Sequence, residues 1–213
     1  MSSETTPEIK GLIRRGFTES TSFARALFVL FQTLDLPLQY AILSGPLSLA
    51  APLIYVLGGT PIPPSAGPAL LLLSSTTNTG LLESLSQIHR AILFAMASGS
   101  FAKHTYWVTL ISKEPMTAGS SLFVGVLNAI ANSMNTILFV NTATSVLTTS
   151  YQTNVNRNGT VLFTPTIVGI ILYIIGMILE WGPEIQRLKF KKDSRNKGRV
   201  YTHGFFGFAR HIN

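Results

Sequence analysis

The sequence predicts an all-α fold, a polytopic bundle of transmembrane helices followed by a basic cytoplasmic C-terminal segment. Its 213 residues are 46% hydrophobic and only 12% charged, a composition typical of membrane proteins rather than of soluble cores. Residues 161 to 179 form an apolar run broken only at 164 to 166, and about 20 such residues of helix cross a bilayer. Half of the sixteen basic residues follow position 186.

The distribution of charge indicates a chain that lies in a membrane. The net charge of +7 is concentrated toward the two ends, as expected where Lys and Arg remain on the cytoplasmic side. Basic residues that flank apolar spans do not form the folded, stackable surface of a nucleic-acid module, so we predict membrane lipids and no nucleic acid as partners. The absence of cysteine excludes disulfides, thiol catalysis and thiolate metal sites.

Three regions are predicted along the chain. Residues 1 to 22 form a polar lead that lacks the apolar core of a cleaved signal peptide. Residues 23 to 182 hold four to six transmembrane helices, and residues 183 to 213 form a juxtamembrane segment that carries a cofactor motif. In the first span, residues 23 to 43, Asp35 is costly in hydrocarbon and should face other helices, a cavity or the water at the helix end.

The middle of the chain is less regular. Six prolines between positions 44 and 75 predict a short or broken span followed by a loop. Residues 84 to 111 form the next predicted helix, and its polar side lies either at the membrane interface or along a polar cavity: His89, Arg90, Lys103 and His104. We predict no metal site, because no carboxylate or thiol accompanies these histidines.

A stripe of small and amide side chains follows one face of the helix predicted from about residue 120 to 146. Its members recur at steps of three and four: Ser121, Gly125, Asn128, Asn132 and Asn135. In a bilayer such stripes bring helices close together and hydrogen-bond across them, so packing is the default interpretation. The alternative is that Asn128, Asn132 and Asn135 face a substrate and bind its polar group.

The loop from residue 148 to 160 contains the glycosylation sequon at Asn158 and one basic residue, Arg157. A lumenal position for this loop agrees with a cytoplasmic C-terminal segment, since one crossing separates them. The sequon lies almost at the membrane surface, where a glycosylating enzyme reaches it poorly. We therefore expect Asn158 to be modified in well under half of the molecules.

The segment after the last span carries the predicted chemistry. Gly182 and Pro183 are expected to interrupt the span, with a cytoplasmic helix restarting at Pro183 because proline is tolerated in a first helical turn. Four charged side chains share one face of that helix: Glu180, Glu184, Arg187 and Lys191. Two cations held on one face could form a phosphate cradle, or they could contact anionic lipid.

The motifs of this segment resemble those of a known family. Three groups of residues carry the resemblance: Glu180, Glu184, Gln186, Arg187, Phe190 and Lys191, then Asn196 to Arg199, then HGFFGFARHIN from His203 to Asn213. Together they resemble the C-terminal signature of the steroid 5-alpha-reductase and sterol delta-14-reductase superfamily, in particular its fungal membrane members. Members of that superfamily are multi-span proteins of the endoplasmic reticulum that use NADPH to reduce carbon–carbon double bonds in sterols and related lipids.

The resemblance implies a role for each matching residue. Arg187 and Lys191 would contact the phosphates of NADPH, Phe206 would lie against the cofactor, Tyr201 would border it, and Asn213 would hydrogen-bond it. Arg210 and His211 belong to the same motif and would anchor its loop. No catalytic residue is implied. The chain carries no Gly-x-Gly-x-x-Gly turn, so a Rossmann site is not expected.

Three functions are consistent with these residues. The first is a membrane-bound, NADPH-dependent reductase of a sterol, steroid or related lipid. Because the sequence stops at Asn213, where the superfamily continues, we expect a truncated member that binds NADPH weakly or not at all and reduces no enone. The second is a prenyl-cysteine-type membrane methyltransferase, which shares a similar arginine-histidine signature but usually has proline where this chain has Ile212. The third is a non-catalytic membrane protein whose basic tail binds anionic lipid.

Overall fold

The computed structural model describes residues 21–44, 49–62, 81–112, 115–148 and 164–207. Helices account for most of them. A π-helical turn at Trp107–Ile111 extends α3, and short 3₁₀ turns follow α5 at Ser194–Asn196 and Gly204–Gly207. Within these ranges there is no β-strand, only isolated bridge residues such as the pair Pro61 and Asn141, so the predicted all-α fold class is confirmed. The helices are α1 Ser22–Leu43, α2 Ala50–Val56, α3 Leu81–Tyr106, α4 Ala118–Val140 and α5 Thr164–Lys192.

Three of the described helices, α1, α4 and α5, are long and apolar enough to cross a membrane. Their outward faces carry large exposed apolar side chains, such as Leu34 on α1, Leu127 on α4 and Leu172 on α5. In water such a surface would be unfavourable, whereas in lipid it is the ordinary surface of a spanning helix. The structure is thus an integral membrane helix bundle.

Helices α1 and α4 run parallel to each other. Ser121 donates to the carbonyl of Ala24, and Thr136 donates to Oε1 of Gln39; both pairs are 97 residues apart in sequence. A constant sequence separation means that the two helices advance in the same direction. The chain must therefore return across the bundle between them.

Helix α3 makes that return. Tyr40 packs against Phe94, and Phe28 packs against His104, so α3 runs antiparallel to α1. His89 contacts Thr166 and Met96 contacts Tyr173, both 77 residues apart, so α3 runs parallel to α5. With α3 counted, four helices alternate in direction. Three of them are long and apolar enough to cross a membrane, and the predicted count of four to six spans stays a prediction.

Part of the stripe on α4 packs against α1, as its default interpretation predicts, through Ser121, Gly125 and Asn132. Ser121 is fully buried, and a Cβ at Gly125 would lie 2.7 Å from Cβ of Phe31, so only glycine allows this approach. Asp35 faces α4 rather than lipid: it is 6% exposed, and its two carboxylate oxygens accept from Gln39 at 2.8 Å and from Asn132 at 2.7 Å. The acidic group is thereby satisfied between two helices.

The polar side of α3 also turns inward. Arg90 is 1% exposed and donates to Ser86 and to the carbonyl of Leu43, the last residue of α1. Lys103 is buried and forms an ion pair with Glu180 of α5. Both side chains therefore join neighbouring helices in the bundle, and snorkelling to the interface does not describe them.

The predicted restart of a helix at Pro183 is wrong, because α5 continues without a break from Thr164 to Lys192 and contains Pro183. Proline removes only its own N–H bond to the carbonyl four residues earlier, and the flanking turns hold the helix together. The short helix expected after residue 44 is present as α2, seven residues long. The proline-rich loop that follows Ile62 lies outside the described residues.

Candidate functional site

The C-terminal part of α5 extends past the bundle and forms one wall of a cavity. At 1.5 Å per residue, the 29 residues of α5 span about 44 Å, while the hydrocarbon core of a bilayer is about 30 Å thick. The last turns therefore lie at the membrane surface. The cavity there has a volume of about 490 Å³, and its walls are Tyr106, Trp107, Leu110, Ile111 and Ser112 on one side, with Glu184, Arg187, Leu188, Lys191 and Lys192 on the other.

The α5 wall of this cavity is charged with both signs. Glu184 and Arg187 are 3.8 Å apart, and their side chains are 12% and 39% exposed. Lys191 and Lys192 follow one turn later on the same wall. Three cations thus accompany one carboxylate, which gives the wall a net attraction for anions together with one site for a cationic group.

The opposite wall is aromatic and aliphatic, and the π-helical turn shapes it. A π turn inserts one residue into a helical turn, and such turns are frequent at functional sites. Trp107, its first residue, packs against the buried cluster formed by Ala24, Phe28, Val108 and Met116. That packing fixes the indole at the edge of the cavity.

The chain beyond α5 folds back onto the helix at a different face. The amide of Phe205 donates to Oε1 of Gln186 at 3.1 Å, and a Cβ at Gly182 would lie 2.7 Å from the Phe205 ring. The ring of Tyr201 lies 5.0 Å from that of Phe190 and 5.7 Å from that of Phe206. An aromatic cluster therefore covers the face of α5 that carries Gly182, Gln186 and Phe190.

The predicted cofactor residues consequently separate into two groups. Arg187 and Lys191 lie together in the cavity, as the proposed phosphate cradle requires. Tyr201 and Phe206 are absent from the lining of this cavity and contact each other instead. Asn213 lies outside the described residues, as do Arg210, His211 and Asn158, so their roles stay predictions.

The three asparagines of α4 have different surroundings. Asn132 donates to Asp35 and serves helix packing. Asn128 is half-buried, whereas Asn135 is exposed, and Thr136 takes its place on the packed stripe. These residues do not line the cavity beside α5, and their predicted contact with a substrate stays a prediction.

A second concave surface lies between α3 and α5 at the level of the membrane. This apolar groove has a volume of about 650 Å³, and its lining includes Met96, Tyr173, Ile174 and Trp181. The hydroxyl of Tyr173 donates to the carbonyl of Met96 at 2.8 Å and offers no free donor. At the end of the groove, Trp181 packs edge-on against Tyr106, a residue of the charged cavity. The groove and the cavity are therefore neighbours.

The electrostatics of the tail are set locally. Arg195 hydrogen-bonds Asp193 through its guanidinium and its amide, and these bonds hold the pKa of the Asp193 carboxyl below its usual range. In the part of the chain that the structure describes, no cluster of histidine, aspartate and glutamate could hold a metal ion.

No tryptophan is among the site residues that the sequence predicts. The chain has two, Trp107 and Trp181, and the structure places Trp107 in the cavity and Trp181 in the groove. Their rarity was an available signal, but their location depends on how α3 packs against α5.

The comparisons with known proteins give two similarities of different extent. Residues 123–213 match a family described as a protein of unknown function, DUF1295, which includes steroid 5-alpha-reductase-like membrane proteins. Over 207 residues the chain is 29% identical to the probable O-methyltransferase ustE of Ustilaginoidea virens, and this similarity covers 96% of the chain and 67% of that relative. No solved structure matches the chain.

The two similarities bear on different parts of the earlier expectation. The DUF1295 match includes the C-terminal motif that resembles the steroid 5-alpha-reductase superfamily, and it supports a membrane protein of that general kind. The similarity over nearly the whole chain is to a protein named as a methyltransferase, the second of the predicted functions. Membership of the reductase superfamily and reduction of sterols stay predictions.

Proposed function

We propose that this chain is a membrane enzyme that transfers a methyl group to an oxygen atom of an apolar small molecule. The observation that carries the proposal is the contact between two unlike sites, the charged cavity at the membrane surface and the apolar groove between α3 and α5. A water-soluble cofactor and a lipid-soluble substrate would approach from opposite sides and meet near Tyr106 and Trp181. The similarity to a probable O-methyltransferase supports this choice of reaction.

The cavity residues fit a methyl donor of the S-adenosylmethionine class. Its amino-acid end carries an ammonium and a carboxylate, which Glu184 and the pair Arg187 and Lys191 would hold. When bound, such a donor would supply an electrophilic methyl group: its carbon–sulfur bond would break with the electron pair remaining on sulfur, a carbon–oxygen bond would form to the acceptor, and a hydroxyl acceptor would release its proton to the water at the charged cavity. The apolar groove would exclude water from the acceptor oxygen and fix its orientation.

The excess of cations favours a second candidate, an NADPH-dependent double-bond reductase. Arg187, Lys191 and Lys192 outnumber Glu184 in the cavity wall, and polyphosphate cofactors bind where cations predominate. In this alternative the same cavity would hold the phosphates of NADPH, and the groove would hold a sterol or related lipid.

A substitution of Glu184 separates the two candidates. Glu184→Gln removes the partner of an ammonium, so affinity for S-adenosylmethionine should fall about tenfold or more, since a charged hydrogen bond contributes about 1.5–3 kcal/mol. The same change removes a negative charge beside the phosphates, so NADPH affinity should rise or stay constant. Equilibrium dialysis with each radiolabelled cofactor on the purified chain measures both.

The pair Arg187→Ala and Lys191→Ala serves as the matched control. Loss of both cations should weaken NADPH binding by about 100-fold or more, and S-adenosylmethionine binding by less, because only its carboxylate depends on them. If S-adenosylmethionine fails to bind the unaltered chain while NADPH binds, the methyltransferase proposal is refuted and the reductase is supported.

We infer further that the cavity faces the cytoplasm, and that the membrane is that of the endoplasmic reticulum. Nine of the ten basic residues within the described ranges lie toward the end of the bundle where α1 begins and α5 ends, and Arg90 lies toward the other. The chain has no cysteine, so Lys197→Cys and Ala143→Cys each introduce a single thiol. In intact microsomes an impermeant maleimide should label the first variant and not the second; the reverse result would place the cavity in the lumen.

A further inference from the structure

The charged cavity has two chemically different walls, and this division indicates the shape of its ligand. The wall from the π turn is aromatic and aliphatic, with Trp107 at its edge, while the wall from α5 carries Glu184, Arg187 and Lys191. A ligand that satisfies both walls combines a flat, uncharged ring system with a charged chain. Its volume of about 490 Å³ is within the range of roughly 300–1,000 Å³ found for small-molecule sites.

Trp107 is suited to hold the flat part of such a ligand. Its indole is the largest aromatic surface in the cavity lining, and its packing against the buried cluster of Ala24, Phe28, Val108 and Met116 restricts its motion. A ring that is ordered before binding loses little conformational entropy when a ligand stacks on it. Stacking on an aromatic side chain suits every purine, since each has a π face.

We propose that Trp107 binds the adenine base of the cofactor, while Arg187, Lys191 and Glu184 bind its charged end. This inference rests on the proposed function only in requiring that the cavity hold a soluble cofactor. It holds for both candidates, because S-adenosylmethionine and NADPH each contain adenosine. Trp107 is thus a cofactor-binding residue that neither the C-terminal motif nor the comparisons indicate.

The two tryptophans allow a direct test by fluorescence. Trp181→Phe leaves Trp107 as the sole tryptophan, and because the buried indole nitrogen of Trp181 has no hydrogen-bond partner, this change removes no hydrogen bond. In that variant, S-adenosylhomocysteine and NADP⁺ are titrated separately, with homocysteine and inorganic phosphate as ligands that lack the base. Saturable quenching is expected with whichever adenosine-containing ligand the cavity takes, and none with the other two.

The reciprocal variants measure the contribution of the ring. Trp107→Leu should weaken binding of the same ligand by about tenfold, since stacking of one base contributes about 1–3 kcal/mol, and Trp107→Phe should weaken it less because a smaller ring remains. Phe123→Leu, an aromatic-to-leucine change on the exposed face of α4, is the matched control and should leave cofactor affinity unchanged. Thermal unfolding of each variant in detergent verifies that it is folded.

Two results would overturn the inference and leave the proposed function intact. One is an unchanged dissociation constant in Trp107→Leu while Arg187→Ala with Lys191→Ala loses binding. The other is quenching of Trp107 by phosphate to the same extent as by the adenosine ligands. If neither adenosine ligand binds the unaltered chain, the inference and the proposed function fail together.

Discussion

Replacement of Asp35 by leucine should weaken the packing of α1 against α4, and the structure allows the size of this effect to be estimated. Asp35 accepts hydrogen bonds from Gln39 on its own helix and from Asn132 on α4. Leucine has a similar size but accepts neither bond, so both amide groups would lose their acceptor. Inside a membrane no water is at hand to replace it.

The magnitude follows from the number and setting of these bonds. Side-chain hydrogen bonds between helices in membranes contribute about 0.6 kcal/mol on average and about 1.7 kcal/mol at most. Two bonds therefore set the cost of Asp35→Leu at about 1–3 kcal/mol. Asp35→Asn keeps one acceptor oxygen and should cost about half as much. Leu34→Ala on the 54% exposed neighbour should change stability by less than about 1 kcal/mol.

A double-mutant cycle isolates the interhelical bond. The unfolding free energies of the unaltered chain, Asp35→Leu, Asn132→Leu and the double variant would be measured by reversible denaturation in detergent micelles, with circular dichroism as the signal. We expect a coupling energy of about 1 kcal/mol. Additive effects of the two single changes would show that Asp35 does not bind Asn132, and the α1–α4 register would then rest on the contacts of Ser121 with Ala24 and of Thr136 with Gln39.

Two further predictions concern the segment after α5. Gly182→Ala should displace Phe205, because the added Cβ would lie 2.7 Å from the Phe205 ring, whereas a Cβ added by the control Gly176→Ala meets nothing within 4 Å. Trypsin should therefore cleave the tail several times faster in the Gly182 variant only. Equal cleavage rates in the two variants would refute the packing of Phe205 on Gly182. The hydrogen bonds from Arg195 lower the pKa of Asp193. At a pH above the ordinary pKa of aspartate the ionised carboxylate therefore stabilises the turn, and this stabilisation is lost as the pH falls through the lowered pKa. The protection of the Arg195 amide from hydrogen exchange, measured relative to an unstructured peptide at the same pH, should report this acid loosening, and Asp193→Asn should abolish the pH dependence of that protection.

Much of the fold could be predicted from the sequence because the dominant signals are local. Length and hydropathy determine where α1, α4 and α5 lie. The steps of three and four between Ser121 and Asn132 also predicted a packed face on α4, since helical periodicity converts spacing into a common side. The continuity of α5 through Pro183 could not be predicted in this way, because Pro183 is fully buried and the local sequence does not report burial.

The candidate site was predictable only in part, for a similar reason. The spacing of Arg187 and Lys191 predicts that they share one face of a helix, and both side chains line the cavity. The residues of the opposite wall are determined by the alignment of α3 with α5. The spacing of residues within either helix does not predict that alignment. The motif likewise groups Tyr201 with Arg187, although the returning chain packs Tyr201 beside Phe190 instead.

The position of the site follows from the directions of the helices. Because α1 and α4 advance together, α3 must return between them, and its π turn comes to lie at the membrane surface where α4 is about to begin. Because α3 and α5 also advance together, the charged end of α5 reaches that same surface. The pair α1 and α4 thus runs antiparallel to the pair α3 and α5. This arrangement brings the aromatic end of α3 and the cationic end of α5 into one cavity, which lies directly beyond the groove that α3 and α5 form in the membrane.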